Sequence, residues 1–266
     1  MGNTETELQS YKKIDNVKIL DISKEWQISK LYNDSKESGR DFNDSRAVDL
    51  PHHWQAEEGF EKYTGKVVYY KEVYLSGLDI NDNGKRFFIR FNGIFYSHVI
   101  YINEEEIGAG EGYFYPFIYE IPRNLLDESI KVKVIVESND EKHLKRKEHV
   151  TGIFGHWDCS ERGFNTGGLW QSVELLQTGN SIINNVHLTQ KRIIKTKEKN
   201  QQCILNVKFE LDCITIDKIS CKFTFVPENF KGNNIVFIKD FRIRKPGIIN
   251  ESFNIHIDGI KLWNPN

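Results

Sequence analysis

From Lys66 onward the chain runs as short segments in which apolar and polar residues alternate, each closed by turn-forming residues. Lys66-Val-Val-Tyr-Tyr-Lys-Glu-Val-Tyr-Leu75 gives way to the breaker run Asp79-Ile-Asn-Asp-Asn-Gly-Lys85. Arg86-Phe-Phe-Ile-Arg-Phe91, Ser97-His-Val-Ile-Tyr-Ile102 and Lys131-Val-Lys-Val-Ile-Val-Glu137 follow. A period of two sends successive side chains to opposite faces, so each segment can bury one face and wet the other only as a strand. Enrichment in β-branched and aromatic residues, with turns at regular spacing, predicts a β-sandwich. Helical signal is sparse, the clearest being one turn near Asn124-Leu-Leu-Asp127.

A second β unit begins near Asn180. Its predicted strands are Ile182–Gln190, Cys203–Leu211, Ile219–Phe225, Ile235–Phe241 and Ile248–Ile257, joined by turns such as Lys231-Gly-Asn-Asn234 and Lys245-Pro-Gly247. Five strands suit an immunoglobulin-like sandwich that is two strands short. A sandwich halted there would leave an open edge, which natural domains avoid, so further chain beyond Asn266 is expected.

Charge narrows the function. Lys plus Arg number 36 against 38 for Asp plus Glu, a formal net charge of −2, with no basic stripe of the kind nucleic acid requires. No run approaches the roughly 18 apolar residues of a membrane span, and the polar opening MGNTETELQSYKK is no export signal. A cytoplasmic protein with neither nucleic-acid nor membrane partner is expected. Cys159, Cys203, Cys213 and Cys221 lack the paired spacing of zinc or redox sites, and three fall in strand-like runs where buried free thiols are the ordinary outcome. His52 and His53 are adjacent and point to opposite faces of an extended chain, so they do not share an ion. No metal and no cofactor is expected.

The segment Gly155–Val173, GHWDCSERGFNTGGLWQSV, breaks the strand pattern. About a dozen residues without periodicity lead into Gly167-Gly168 and then a clear strand. A long irregular stretch inside a strand-rich chain is functional or disordered, and Trp157, Asp158, Arg162, Phe164 and Asn165 are poor ingredients for disorder. Aromatic faces beside forked polar groups suit a sugar ring, whose C–H face stacks and whose hydroxyls want directed partners. The candidate carbohydrate-binding residues are therefore Trp157, Asp158, Arg162 and Asn165. The plainer alternative makes Trp157 a rim filler, Asp158 a loop cap and Arg162 half of a surface ion pair. Trp54, Tyr63, Tyr113, Tyr115 and Phe117 are read as packing residues before a stacking platform.

In order and spacing, Asp49-Leu-Pro-His-His-Trp54, Tyr63-Thr-Gly65, Phe91-Asn-Gly-Ile94, Val99-Ile-Tyr-Ile-Asn103, Gly108, Gly112-Tyr-Phe-Tyr-Pro-Phe117, Gly167-Gly-Leu-Trp170 and Leu262-Trp-Asn-Pro265 resemble the amino-terminal part of glycoside hydrolase family 2. That family includes β-galactosidases, β-glucuronidases and β-mannosidases. The resemblance implies an all-β arrangement: a jelly-roll, sugar-binding-like domain over residues 1–178, then an immunoglobulin-like sandwich over 180–266 that is incomplete at its carboxyl end. It further implies a catalytic (β/α)8 barrel, in cis or in trans, that these residues do not contain. Retaining chemistry needs two carboxylates about 5 Å apart, and no glutamate here carries either role by motif. No catalytic residue is assigned, and the chain alone is expected to be inactive.

On this resemblance the chain braces the barrel and lines one wall of a pocket for a β-linked oligosaccharide or glycoside. Trp157-Asp158 is similar to the Trp-Asp element that β-mannosidase-like members place before a Gly-Ile-Trp strand. Cys159 departs from it where that subgroup has a second Trp, and Glu104 and Glu111 stand in turns the family keeps Gly-rich. The rival readings are a stand-alone carbohydrate-binding module or lectin, and an interaction subunit completed by a partner's strand.

Overall fold

The computed structural model describes residues 11–14, 17–31, 45–61, 63–112, 114–138, 167–195, 201–228 and 231–258. The chain divides into two compact units, Met1–Thr178 and Gly179–Asn266. The described residues are almost entirely strand, as the alternation predicts.

The first unit is a two-sheet sandwich. Its strands are β1 (Tyr11–Ile14), β2 (Val17–Asp21), β3 (Trp26–Leu31), β4 (Arg46–Val48), β5 (Gly65–Tyr74), β6 (Arg86–Phe91), β7 (Ser97–Ile102), β8 (Glu105–Glu111), β9 (Phe117–Glu120), β10 (Ser129–Ser138) and β11 (Val173–Thr178). One sheet has the order β1-β2-β11-β6-β9 and the other β4-β3-β5-β10-β7-β8. Neighbouring strands in both are antiparallel. The helical signal near Asn124 is a single 3-10 turn, Arg123–Leu125, and a second such turn spans Trp54–Ala56.

Alternation builds the core directly. On β10, Ile130, Val132, Val134 and Val136 are all fully buried, while Lys131 between them is exposed. Phe87, Ile89 and Phe91 of β6, Ile100 and Ile102 of β7, and Val173 and Leu175 of β11 join the same apolar cluster. Each such side chain contributes about 1.5–3 kcal/mol by leaving water. Trp26 lies at the centre and satisfies its indole by donating from Nε1 to the Ile22 carbonyl at 2.7 Å, so its bulk is buried without an orphaned donor.

Strand ends converge on one rim of this unit. Ser138, the last residue of β10, pairs with Gly65 at the start of β5, and Glu137 pairs with Ser97 at the start of β7. Ser97 in turn pairs with Glu111 at the end of β8.

The second unit has β12 (Ser181–Lys195), β13 (Gln201–Cys213), β14 (Lys218–Phe225), β15 (Ile235–Arg242) and β16 (Gly247–Asp258). Three of them form a sheet, β12-β13-β16, and β14 pairs with β15. The five predicted strands are present. The first two run longer than their apolar alternation, because β12 keeps its backbone bonds to β13 through two register shifts, between Ile183 and Asn185 and between Gln190 and Arg192. Val207, Phe209, Leu211, Phe241 and Ile255 form this unit's own core. Cys203, Cys213 and Cys221 are buried free thiols, as expected of strand cysteines.

Candidate functional site at the rim of the first unit

Trp157, Asp158, Arg162 and Asn165 lie outside the described residues, as do Tyr113 and Cys159. What is described is the seat on which their segment returns to the sandwich, Gly167–Trp170. Three backbone segments meet there. The His52 amide donates to the Leu169 carbonyl at 2.8 Å, and the Trp54 amide donates to Gly167 at 3.0 Å. Phe95 and Gly168 exchange both backbone bonds at 2.9 Å.

Both glycines are needed at that junction. Gly167 lies against the face of Trp54, and a methyl group there would sit 2.1 Å from the indole. Gly168 has φ +135°, where side-chain-bearing residues are strained, and a methyl group on it would meet the His52 carbonyl oxygen and the Tyr69 hydroxyl, each at 2.6 Å. Trp170 closes the seat from the other side, over Gly93.

Beneath the glycines runs a buried polar chain. His52 Nδ1 is 2.9 Å from the Tyr69 hydroxyl, and His52 Nε2 is 3.2 Å from Glu57 Oε1. Because a carboxylate accepts, Nε2 carries the imidazole proton and donates to Glu57, and Nδ1 accepts from the Tyr69 hydroxyl, whose oxygen also accepts from the Leu169 N–H. Burial drives the His52 pKa below its ordinary value, against the opposing pull of Glu57, so the ring is neutral at pH 7. Burial likewise lifts the Tyr69 hydroxyl far above its ordinary range. Burial thus disfavours the charged form of both groups, and their bonds hold the backbone of the seat in place.

The aromatic residues divide. Trp54 is fully buried and donates from Nε1 to the Tyr63 carbonyl at 3.3 Å, while the Tyr63 hydroxyl donates to the Lys66 carbonyl at 2.9 Å, so both pack as expected. Phe117 packs on His98 with ring centroids 4.2 Å apart. Tyr115 differs: it is 53% exposed. His52 is buried and His53 exposed, on opposite faces as adjacent extended residues must be. Among the described residues no group of three or more His, Cys, Asp or Glu side chains is placed to hold a metal ion.

The His52–Tyr69–Glu57 chain went unread in the sequence. Its one local sign is Glu57, five residues after His52; the pairing with Tyr69 depends on tertiary structure.

No family model matches the chain. Among curated proteins it is 28% identical over 248 residues to a β-glucuronidase of Bacteroides fragilis, covering 82% of this chain and 34% of that protein. It is 26% identical over 258 residues to a β-galactosidase of Thermoanaerobacterium thermosulfurigenes, covering 94% of this chain and 34% of that one. Among solved structures, a glycosyl hydrolase family 2 member from Bacteroides cellulosilyticus superposes with a TM-score of 0.67 at 15% identity, over 92% of this chain and 32% of its own. The likeness is to the glycoside hydrolases of family 2. It agrees with the resemblance to their amino-terminal part carried by the sequence motifs, and the shared fold is an all-β sandwich. The chain spans about a third of the length of the curated family 2 relatives it matches. Among the described residues no helix is long and apolar enough to cross a membrane.

Proposed function

We propose that this chain is the non-catalytic front of a family 2 exo-glycosidase acting on β-glycosides, with residues 1–178 as its sugar-binding-like jelly roll and 180–266 as an immunoglobulin-like domain. The first unit braces a catalytic barrel, in cis or in trans, and lends one wall of its pocket through Trp157, Asp158, Arg162 and Asn165. The observation that supports this most is the seat at Gly167–Trp170. There two sterically required glycines and a buried His–Tyr–Glu chain fix the backbone that directly follows these four residues in the sequence. The relatives bear the names β-glucuronidase and β-galactosidase, so the sugar is left to experiment.

A pocket wall without its floor has too few converging groups to hold a monosaccharide. Titration calorimetry of residues 1–266 with mannose, galactose, glucuronate and their β-linked disaccharides is expected to give no saturable heat, an affinity weaker than about millimolar or about −4 kcal/mol. Binding tighter than about 100 μM that is lost in Trp157→Ala or Asp158→Ala would replace this reading with a stand-alone lectin.

A further inference from the structure

The two Asn-Gly pairs of the chain, Asn83-Gly84 and Asn92-Gly93, sit in opposite surroundings. In such a pair the second residue has no side chain to hold its backbone nitrogen away from the first residue's carboxamide carbon, so a cyclic imide can close between them. Closure needs a carboxamide that is free to turn onto that nitrogen.

Asn92 is not free to turn. Its carboxamide donates to Ser172 Oγ at 2.9 Å and to Glu174 Oε2 at 3.3 Å, and its backbone amide donates to the Ser172 carbonyl at 3.0 Å. Gly93 lies against Trp170, where a methyl group would be 2.6 Å from the ring.

Asn83 is exposed, within a tight turn closed by the Lys85 amide donating to the Asp82 carbonyl at 3.0 Å. The Gly84 N–H donates to Asp82 Oδ1 at 2.8 Å, so the proton that cyclisation removes already faces a carboxylate within the reach of a general base. One guanidinium clasps the same turn. Arg123 Nη2 donates to the carbonyls of Asp82 and Lys85 at 2.6 Å each, and its Nη1 donates to the Ile80 carbonyl at 2.8 Å. Asp79, at the head of the run, is held by Lys18 of β2 at 2.8 Å and by Gln177 of β11 at 2.7 Å.

We propose that Asn83 is a covalent modification site, which deamidates in the folded chain through an imide formed with Gly84, while the packing of Asn92 withholds the same reaction there. The Gly84 nitrogen gives its proton to the Asp82 carboxylate and bonds to Asn83 Cγ. The Cγ–Nδ2 bond breaks, and ammonia leaves with that proton. Water then opens the imide at either carbonyl, leaving aspartate or isoaspartate. Both products add a negative charge to the turn. Isoaspartate also puts one more carbon into the main chain between the two carbonyls that Arg123 Nη2 holds, which loosens the clasp.

The test holds folded residues 1–266 in mildly alkaline buffer at physiological temperature, with samples taken over days and digested for mass spectrometry. The exchange of an amide NH2 for OH is read as a gain in mass, and the isoaspartyl and aspartyl peptides separate on the column. Asn83 is expected to convert to a mixture of the two while Asn92 stays intact. In urea both pairs should convert, because Asn92-Gly93 is reactive once its packing is gone. Gly84→Ala should lose the conversion at Asn83 and Asp82→Ala should slow it, with far-UV circular dichroism and the urea midpoint of each variant reporting that it is folded. Asn83 left unchanged in the folded chain but converted in urea overturns the proposal, as does conversion of Asn92 in the folded chain at the rate of Asn83. A wild-type rate in Gly84→Ala overturns the imide, and a wild-type rate in Asp82→Ala overturns the proton path.

Discussion

A methyl group at residue 168 would occupy space held by one backbone oxygen and one buried hydroxyl, neither the free end of a flexible side chain. Gly168→Ala is therefore expected to cost roughly 2–4 kcal/mol, from overpacking and from the unfavourable φ together, read as a drop in urea midpoint at unchanged slope. Tyr69→Phe should cost about 1–3 kcal/mol by stranding His52 Nδ1 and the Leu169 N–H. A cost below about 0.5 kcal/mol for both would mean that the seat is not rigid. His98 supplies a pH signature. Burial lowers its pKa from 6.5 to about 4, so the unfolded chain binds a proton across that interval that the folded chain refuses. Its contribution is present above pH 6.5 and is lost as pH falls toward 4, by up to roughly 3 kcal/mol. His52 acts in the same direction. Urea midpoints at pH 7, 5.5 and 4 should fall more steeply for the wild type than for His98→Gln, and parallel curves would contradict the assignment. At this scale the sequence was only partly legible. Gly167-Gly168 stood out as a lead into a strand, yet nothing local told that Tyr69 and the His52 backbone were what the missing side chains made room for. Tyr115 was read as packing because aromatic residues of sandwiches usually are, yet it is 53% exposed.

Strands were the most readable level, since a period of two is both the sequence signal and the packing requirement. Arg86–Phe91 and Ser97–Ile102 begin and end where alternation says they should. Pairing was not readable. β11 sits between β2 and β6, joining Ser23 to Val173 across 150 residues, and no local pattern encodes such a partner. Pairing also sets local stability. β6 is bonded on both sides, to β11 and to β9, whereas among the described residues β16 is bonded only to β13. Hydrogen exchange should be slow along the whole of Arg86–Phe91. Along Ile248–Ile257 it should alternate, slow where the amide faces β13 and fast where it faces away. Uniform protection along β16 would reveal a further strand on its outer edge.

At the scale of the whole molecule, the chain is similar to about a third of the length of family 2 glycoside hydrolases. A retaining site pairs a nucleophilic carboxylate with an acid whose pKa is raised. Among the described residues, the carboxyl groups with displaced acidity are Asp49, Asp79 and Asp240, and each is pushed down, first of all by its hydrogen-bonded lysine, Lys24, Lys18 and Lys218 respectively. That is the opposite of what a general acid needs at neutral pH. The most direct measurement is therefore turnover of aryl β-galactosides, β-glucuronides and β-mannosides by purified residues 1–266. The expected result is a rate indistinguishable from the buffer blank for all three. Turnover that co-purifies with the chain and disappears on a single Glu→Gln substitution would contradict a non-catalytic front region.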